Sequence, residues 1–178
     1  QRAYDQLLHD IAMQKLHAVI AIDRAGIVGD DGETHQGVFD VPMLNSFPNT
    51  TIYSPCYFEG LLKCLNEAVY HKDSLVAVRY PRGGEMFRPK DYTEISVDYD
   101  FYGNTSCDTL IVTYGRLFSN CCEAKEILSD KGKEVCVLKL NRIKPLPEEA
   151  LLNSLSFENI HFYEEGMLNG SIGFSFNS

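Results

Sequence analysis

Residues 18–37 read AVIAIDRAGIVGDDGETHQG, an apolar run that gives way abruptly to a polar, glycine-rich segment. The run Ala18–Ile22 is typical of a strand that is buried on both faces of a parallel sheet. Residues 22–37 then hold four glycines, four acids, one arginine and one histidine. In open α/β sheets, ligands bind beyond the carboxyl ends of the strands. The polar segment is therefore a candidate binding loop.

Strand-like and helix-like patterns alternate along the rest of the chain. We predict strands at residues 18–23, 51–55, 75–80, 109–115, 134–140 and 160–165, and helices at residues 2–15, 41–44, 58–70, 119–131 and 147–155. Strands that alternate with helices build parallel sheets joined by crossover helices. The sequence therefore predicts an α/β fold with two open, mainly parallel sheets.

Residues 91–107 interrupt this alternation. They contain several turn-forming Asp, Gly and Asn residues, and we interpret them as a linker with one edge strand near residues 95–97. We therefore predict a first domain at residues 1–90 and a second at residues 108–178. The chain begins without an initiator Met or a helix cap and ends just after a glycine-rich turn, so we expect it to be a piece of a longer protein.

The glycine-rich turn holds Gly166, Gly170 and Gly173. Its spacing is not GxGxxG, and no acid follows at the distance that a dinucleotide site requires. We interpret this segment as a tight strand-to-helix turn.

Composition narrows the choice of partners. The net charge of −9 argues against nucleic acid and anionic membranes, and no apolar run approaches the roughly 18 residues of a membrane span. The six cysteines show no zinc-site spacing. We predict free, mostly buried thiols, no metal ligands and a cytoplasmic location, because thiols stay reduced in the cytosol.

Two arginines follow predicted strand ends. Arg24 comes just after the first strand, and Arg82 comes just after the strand at residues 75–80. Neighbouring strands would let both guanidinium groups bind one phosphate or carboxylate, which the planar guanidinium contacts with two hydrogen bonds. The alternative is that each is a surface arginine paired with one of the 25 acids.

His35 and Asp31 are the other candidates in the loop. His35 lies near Gly37 and has the pKa range of a general acid or base, although an exposed, inert loop histidine is the alternative. Asp31 precedes Gly32. It therefore either supports a turn or accepts a hydrogen bond from a substrate hydroxyl.

Several motifs together resemble the 1-deoxy-D-xylulose-5-phosphate synthase family of transketolase-like thiamine diphosphate enzymes. The resemblance covers essentially the whole chain. It rests on QRAYDQ (1–6), IDRAGIVG (22–29), DG (31–32), THQG (34–37), VRYPRG (78–83), KPL (144–146) and EE (164–165). It implies a transketolase pyrimidine-binding-like domain followed by a transketolase C-terminal-like domain.

The resemblance also implies an activity and its partners. The family condenses pyruvate with D-glyceraldehyde 3-phosphate, using thiamine diphosphate and Mg²⁺, and its product feeds isoprenoid, thiamine and pyridoxal biosynthesis. It implies a cytoplasmic homodimer in which this chain is completed by an N-terminal domain of the same protein. The chain lacks the cofactor-activating glutamate and the diphosphate and magnesium domain, so we expect it to be inactive alone.

The resemblance assigns roles to five residues. It implies that Arg24 and Arg82 bind the phosphate of the acceptor aldehyde, and that Asp31 and His35 contact substrate hydroxyls and the reacting centre, with His35 in proton transfer. It implies that Arg2 lies beside the aminopyrimidine ring of the cofactor. Asp30 and His17 depart from the family pattern, which favours a small residue and a proline there.

Two other classes of function stay open. One is another transketolase-superfamily subunit, either a β-type subunit of a 2-oxo acid dehydrogenase or a transketolase C-terminal subunit. The other is a catalytically silent α/β module. Convergence of Arg24, Asp31, His35 and Arg82 on one pocket would argue against the silent module.

Overall fold

The computed structural model describes residues 2–177, so Gln1 and Ser178, the outer limits of the two predicted domains, lie outside it. A helical segment with i→i−5 hydrogen bonds, Gln6–Ala12, comes first, within the helix predicted at residues 2–15. The other main elements are β1 (Ala18–Ile22), α1 (Asp40–Asn45), β2 (Thr50–Tyr53), α2 (Phe58–Tyr70), β3 (Leu75–Arg79), β4 (Tyr99–Tyr102), β5 (Thr109–Tyr114), α3 (Leu117–Asp130), β6 (Cys136–Leu140), β7 (Arg142–Lys144), α4 (Glu148–Ser154), β8 (Asn159–Tyr163) and α5 (Ile172–Phe176).

The strands form two sheets of four, in the orders β1-β3-β2-β7 and β4-β6-β5-β8. Within each sheet three strands are parallel, and one edge strand, β7 or β4, is antiparallel. This confirms the predicted α/β class with two mainly parallel sheets. The predicted helix at residues 58–70 coincides with α2.

Strand β7 links the two halves and is absent from the prediction. It follows β6 of the second sheet after one residue, yet it pairs with β2 of the first sheet, with Ile52 opposite Lys144 and Tyr53 opposite Arg142. Three residues are too few to show a strand period, and the partner lies far away in the sequence. Only the folded chain reveals this pairing.

The edge strand predicted at residues 95–97 is wrong. The strand is β4, which pairs antiparallel with β6, whereas Ile95 is 85% exposed. The amides of Ile95 and Ser96 instead donate to Asp100 Oδ1 at 3.1 and 3.0 Å, which turns the chain just before β4. Tyr92 and Glu94 are buried, so the predicted linker also contributes core side chains. The limits 1–90 and 108–178 stay a prediction.

One hydrophobic cluster joins the two sheets. It includes Ile52 and Leu75 of the first sheet and Leu110 and Leu138 of the second, all fully buried. The six cysteines are free and four of them are buried, which confirms that prediction. Burial raises the pKa of the Cys64 thiol to about 12. Over residues 2–177, no helix is long and apolar enough to cross a membrane.

Candidate functional site

The carboxyl edge of the first sheet brings Arg24 and Arg82 together. Strands β1 and β3 are parallel neighbours, so the loops that follow them leave the same edge of the sheet. Both arginines pair with Asp31: Arg24 Nε lies 2.7 Å from Asp31 Oδ2, and Arg82 Nη1 donates to Asp31 Oδ1. Three of the four predicted loop residues therefore converge on one point.

The three side chains differ in their access to solvent. The side chains of Arg24 and Arg82 are 44% and 47% exposed, whereas Asp31 is 11% exposed. Exposed ion pairs contribute little stability, since water solvates both partners well. The outer faces of both guanidinium groups therefore remain accessible to an oxyanion from solvent.

The backbone of Arg24 is held in an uncommon conformation. Its φ angle is +60°, which residues other than glycine seldom adopt. The carboxylate of Asp23 accepts from the Arg24 amide at 2.7 Å and from Arg24 Nη1 at 3.1 Å. These two hydrogen bonds fix the direction in which the guanidinium leaves the strand.

Gln36 organises the segment at residues 24–37, which we call the arginine loop. Its side-chain amide accepts from the Val28 amide at 2.6 Å and donates to the carbonyls of Val28 and Gly32 at 2.8 and 2.5 Å. These bonds span the loop and hold the turn in which Asp31 lies. Sequence reasoning missed this role, because glutamine has no pattern that marks it.

His35 and Arg2 are not brought to the arginine pair. His35 is exposed, and its Nδ1 lies 2.8 Å from Thr34 Oγ1. Within residues 2–177, no hydrogen bond or ion pair links His35 or Arg2 to Arg24, Asp31 or Arg82. Arg2 is exposed in the turn before the first helical segment. The roles predicted for both residues stay predictions.

Arg79 anchors the end of the arginine loop and was also missed. Its side chain is 2% exposed and donates to Asp40 Oδ2 at 2.6 Å, to Ser54 Oγ at 3.1 Å and to the Gly37 carbonyl at 3.1 Å. A signal existed in the sequence, since a charged residue that ends an apolar strand must find partners inside the protein.

Arg116 and Glu165 approach the same loop from the second sheet. Arg116 donates from Nε to Glu165 Oε2 at 2.8 Å and from Nη2 to Glu165 Oε1 at 2.5 Å. Its Nη2 also donates to the Ile27 carbonyl. The hydrogen bonds to Glu165 raise the pKa of Arg116, so this arginine is charged at every physiological pH.

The glycine-rich turn at residues 166–173 begins α5, which confirms the predicted strand-to-helix turn. Glu164 accepts from the amides of Ile172 and Gly173 at 3.2 and 3.0 Å. Tyr114 Oη donates to the same carboxylate at 2.7 Å. A protein carboxylate thus takes up the first amides of this helix, the groups that bind phosphate in nucleotide sites.

The part of the chain that the structure describes does not assemble a metal site. No group of three or more His, Cys, Asp or Glu side chains at residues 2–177 could hold a metal ion.

Comparison with known families accounts for both sheets. Residues 1–84 match the family model for the transketolase pyrimidine-binding domain, and residues 103–178 match the model for the transketolase C-terminal domain. The chain belongs to the transketolase family. A solved transketolase-family structure described as a split-gene transketolase, inactive beta4 tetramer, has the same fold, with a TM-score of 0.81 at 21% identity. The match covers 98% of this chain and 57% of that one.

Curated proteins that are similar to this chain include synthases of one name. The 1-deoxy-D-xylulose-5-phosphate synthase of Listeria innocua serovar 6a is 40% identical over 179 residues, which cover 98% of this chain. The synthase of Clostridium acetobutylicum is 40% identical over 180 residues, which cover 97% of this chain. In both cases, the chain spans 28% of the length of the relative.

Proposed function

We propose that this transketolase-family chain forms the acceptor-binding half of a 1-deoxy-D-xylulose-5-phosphate synthase. The parent enzyme would condense pyruvate with D-glyceraldehyde 3-phosphate to give 1-deoxy-D-xylulose 5-phosphate and CO₂. The observation that carries the proposal is the convergence of Arg24 and Arg82, both about half exposed, at one edge of the first sheet. The 40% identity to synthases of this name supports the same activity.

The arginine pair supplies the positive charge that a phosphorylated substrate requires. The chain carries a net charge of −9, so the overall field opposes an anionic substrate. Two guanidinium groups that meet at one point overcome this field locally, because each can donate two parallel hydrogen bonds to a phosphate. We assign Arg24 and Arg82 to the phosphate of the acceptor aldehyde.

Asp31 and His35 are assigned to the carbon end of the acceptor. Asp31 lies between the arginines and can accept a hydrogen bond from a hydroxyl next to the phosphate. His35 is exposed on the same loop and can exchange a proton with a reacting oxygen once the rest of the site encloses it. Arg2 is assigned to the aminopyrimidine ring of the cofactor.

The remaining parts of the site are assigned to the parent enzyme. Thiamine diphosphate supplies the carbanion chemistry of such enzymes. We propose that the missing N-terminal domain of the same protein holds the diphosphate and Mg²⁺, since residues 2–177 contain no group of three or more His, Cys, Asp or Glu side chains that could hold a metal ion. We further propose a cytoplasmic homodimer and the domain limits 1–90 and 108–178. We expect this half, when separated from the rest of the parent enzyme, to be inactive.

Two alternatives predict different behaviour. A β-type subunit of a 2-oxo acid dehydrogenase or a transketolase C-terminal subunit would not need this phosphate pair in this loop. In a catalytically silent module, Arg24 and Arg82 would serve only as surface partners of Asp31, and removing either would change no substrate constant. The pair therefore favours the synthase.

The test uses the parent enzyme and measures CO₂ release from pyruvate in the presence of D-glyceraldehyde 3-phosphate. Arg82→Ala should raise KM for the phosphorylated aldehyde about tenfold or more and leave KM for pyruvate nearly unchanged. Arg88→Ala is the matched control, because Arg88 pairs with Glu59 at 2.8 Å outside the loop. Equal effects on both substrates would reject the phosphate role, and a wild-type parent that forms no product would reject the activity.

A further inference from the structure

The carboxyl edge of the second sheet reaches the arginine loop through two side chains. Arg116 follows β5 and Glu165 follows β8, and these strands are parallel neighbours. The placement matches that of Arg24 and Arg82 in the first sheet, where two neighbouring strands also end in functional side chains. Here, however, the arginine side chain is 26% exposed, compared with 44% for Arg24 and 47% for Arg82.

One guanidinium group makes all the polar contacts of this junction. Arg116 uses Nε and Nη2 for the two oxygens of Glu165, and Nη2 also donates to the Ile27 carbonyl of the loop. The side chains of Arg116 and Glu165 are 26% and 18% exposed, so both are largely shielded from water. Two hydrogen bonds to one carboxylate leave a planar guanidinium group little freedom to rotate. The third hydrogen bond, to the Ile27 carbonyl, therefore holds Ile27 in one position.

Glu165 also fills the space beside Gly26. A Cβ atom at Gly26 would collide with the Glu165 carboxylate, and Gly26 has φ +84°. Gly26 and Gly37 exchange two backbone hydrogen bonds of 3.0 and 2.8 Å, which close the base of the loop. The carboxylate of the second domain therefore packs directly against the closed base.

The base of the loop is thus held from two sides, while its tip is open. Arg79 of the first sheet donates to the Gly37 carbonyl at 3.1 Å, and Arg116 of the second half donates to Ile27. At the tip, Cβ atoms added to Gly29 and Gly32 would meet no atom within 4 Å. The base is therefore the part of the loop that both sheets hold, whereas at the tip Asp31 pairs with Arg82 of the first half.

We infer that Arg116 and Glu165 are positioning residues, through which the second domain sets the affinity of the arginine loop for its acceptor. The identity of that acceptor rests on the proposed function. Arg24 lies at the start of the loop, two residues before Gly26 at the closed base. A shift of Ile27 and Gly26 therefore changes where the Arg24 guanidinium stands relative to Arg82.

Amide hydrogen exchange of the loop tests the positioning role without any assay of activity. In Arg116→Met, the amides of Gly26, Val28 and Gly37 should exchange about tenfold faster than in the wild-type chain. Arg142→Met is the matched control. Arg142 also donates two hydrogen bonds of 2.8 Å to one carboxylate, that of Asp98, and this pair lies away from the loop. Unchanged exchange in Arg116→Met, or equal acceleration in Arg142→Met, would overturn the inference.

Steady-state kinetics of the parent enzyme provide a second test of the positioning role. Arg116→Met should raise KM for the phosphorylated aldehyde about tenfold with little change in KM for pyruvate, and Glu165→Gln should change it less, because the amide keeps the size of the carboxylate and one acceptor oxygen. If Arg116→Met does not fold, Arg116→Lys replaces it in both the hydrogen-exchange and the kinetic experiment. Equal changes in both KM values would overturn the inference. A wild-type parent without product formation would reject the proposed function alone, and the exchange result would still decide the positioning role.

Discussion

Two clusters of opposite charges show how burial separates binding from stability. We call them the exposed cluster, which is Arg24, Asp31 and Arg82, and the buried cluster, which is Lys139, Glu94 and Asp100. In the exposed cluster the cations are 44% and 47% exposed. In the buried cluster the side chains of Lys139 and Glu94 are fully buried, and Asp100 is 6% exposed.

The buried cluster offers no room for a ligand. Lys139 donates to Glu94 and lies 3.5 Å from Asp100 Oδ2. Its ammonium also lies 5.1 Å from the ring centre of Tyr92 and 5.4 Å from that of Phe118. Every face of the ammonium is therefore covered by protein, and its charge serves only to neutralise the carboxylates around it.

The difference shows that ion pairs of the same residue types can either stabilise the fold or bind a ligand, and that the exposure of the side chains distinguishes the two roles. Desolvation makes a buried ion pair costly to break, whereas solvent makes an exposed ion pair easy to replace with a ligand. We therefore propose the exposed cluster as part of the acceptor site, whereas the buried cluster ties the segment before β4 to the second sheet.

The largest effect on stability should come from the buried cluster. Lys139→Met leaves Glu94 and Asp100 buried without their cation, which should lower the free energy of unfolding by about 3–5 kcal/mol. Urea denaturation followed by circular dichroism measures this change. The double variant Lys139→Met with Glu94→Met should lose less of the free energy of unfolding. An unchanged free energy of unfolding in the single variant would show that the buried cluster does not stabilise the fold more than the exposed cluster does.

Arg79 should show an intermediate effect, because its partner is partly solvated. Asp40 keeps 14% of its side chain exposed, so Arg79→Met should cost about 3 kcal/mol, the low end of the range for a broken buried pair. The same denaturation experiment gives the value. A loss larger than that of Lys139→Met would show that burial does not rank these pairs.

The exposed cluster should contribute almost nothing to stability. Arg82→Ala removes a half-exposed side chain and should change the free energy of unfolding by less than about 0.5 kcal/mol. Lys72→Ala, which removes another surface pair, with Glu67 at 3.0 Å, is its control in the same denaturation experiment. A loss of several kcal/mol would make Arg82 a structural residue rather than a binding one.

The smallest effect is expected for cofactor binding by this chain alone. We propose that this chain provides one wall of the site, and its described residues contain no group of three or more His, Cys, Asp or Glu that could hold a metal ion. Titration of residues 1–178 with thiamine diphosphate and Mg²⁺ should therefore give no binding heat in calorimetry. Tight binding would show that the exposed cluster belongs to a site that this chain completes by itself.

The sequence predicts the residues of the exposed cluster better than the residues that hold the arginine loop in place. Strand ends after apolar runs are visible in the sequence, so Arg24 and Arg82 could be placed at one sheet edge. The same rule applied to the second sheet would have found Arg116 and Glu165, which also follow strand ends. The charge of Arg79 at the end of an apolar strand predicts that it has partners inside the protein, but its actual partners, Asp40, Ser54 and Gly37, depend on the folded chain.

Long-range pairings explain the parts of the fold that could not be predicted. Strand β7 has three residues and pairs with β2, which lies far away in the sequence, so no local pattern marks it. The Asp100 turn shifts the edge strand from the predicted residues 95–97 to β4 by hydrogen bonds that depend on the folded chain. The bridging place of Asp31 between two arginines likewise depends on where the two loops meet.

Substrate preference of the parent enzyme tests the central claim most directly. The ratio of kcat/KM for D-glyceraldehyde 3-phosphate to kcat/KM for unphosphorylated D-glyceraldehyde measures how much the phosphate contributes to transition-state binding. If Arg24 and Arg82 bind that phosphate, Arg82→Ala should lower the ratio by about 10- to 100-fold, while Arg88→Ala leaves it unchanged. A ratio that stays the same in Arg82→Ala would contradict the account.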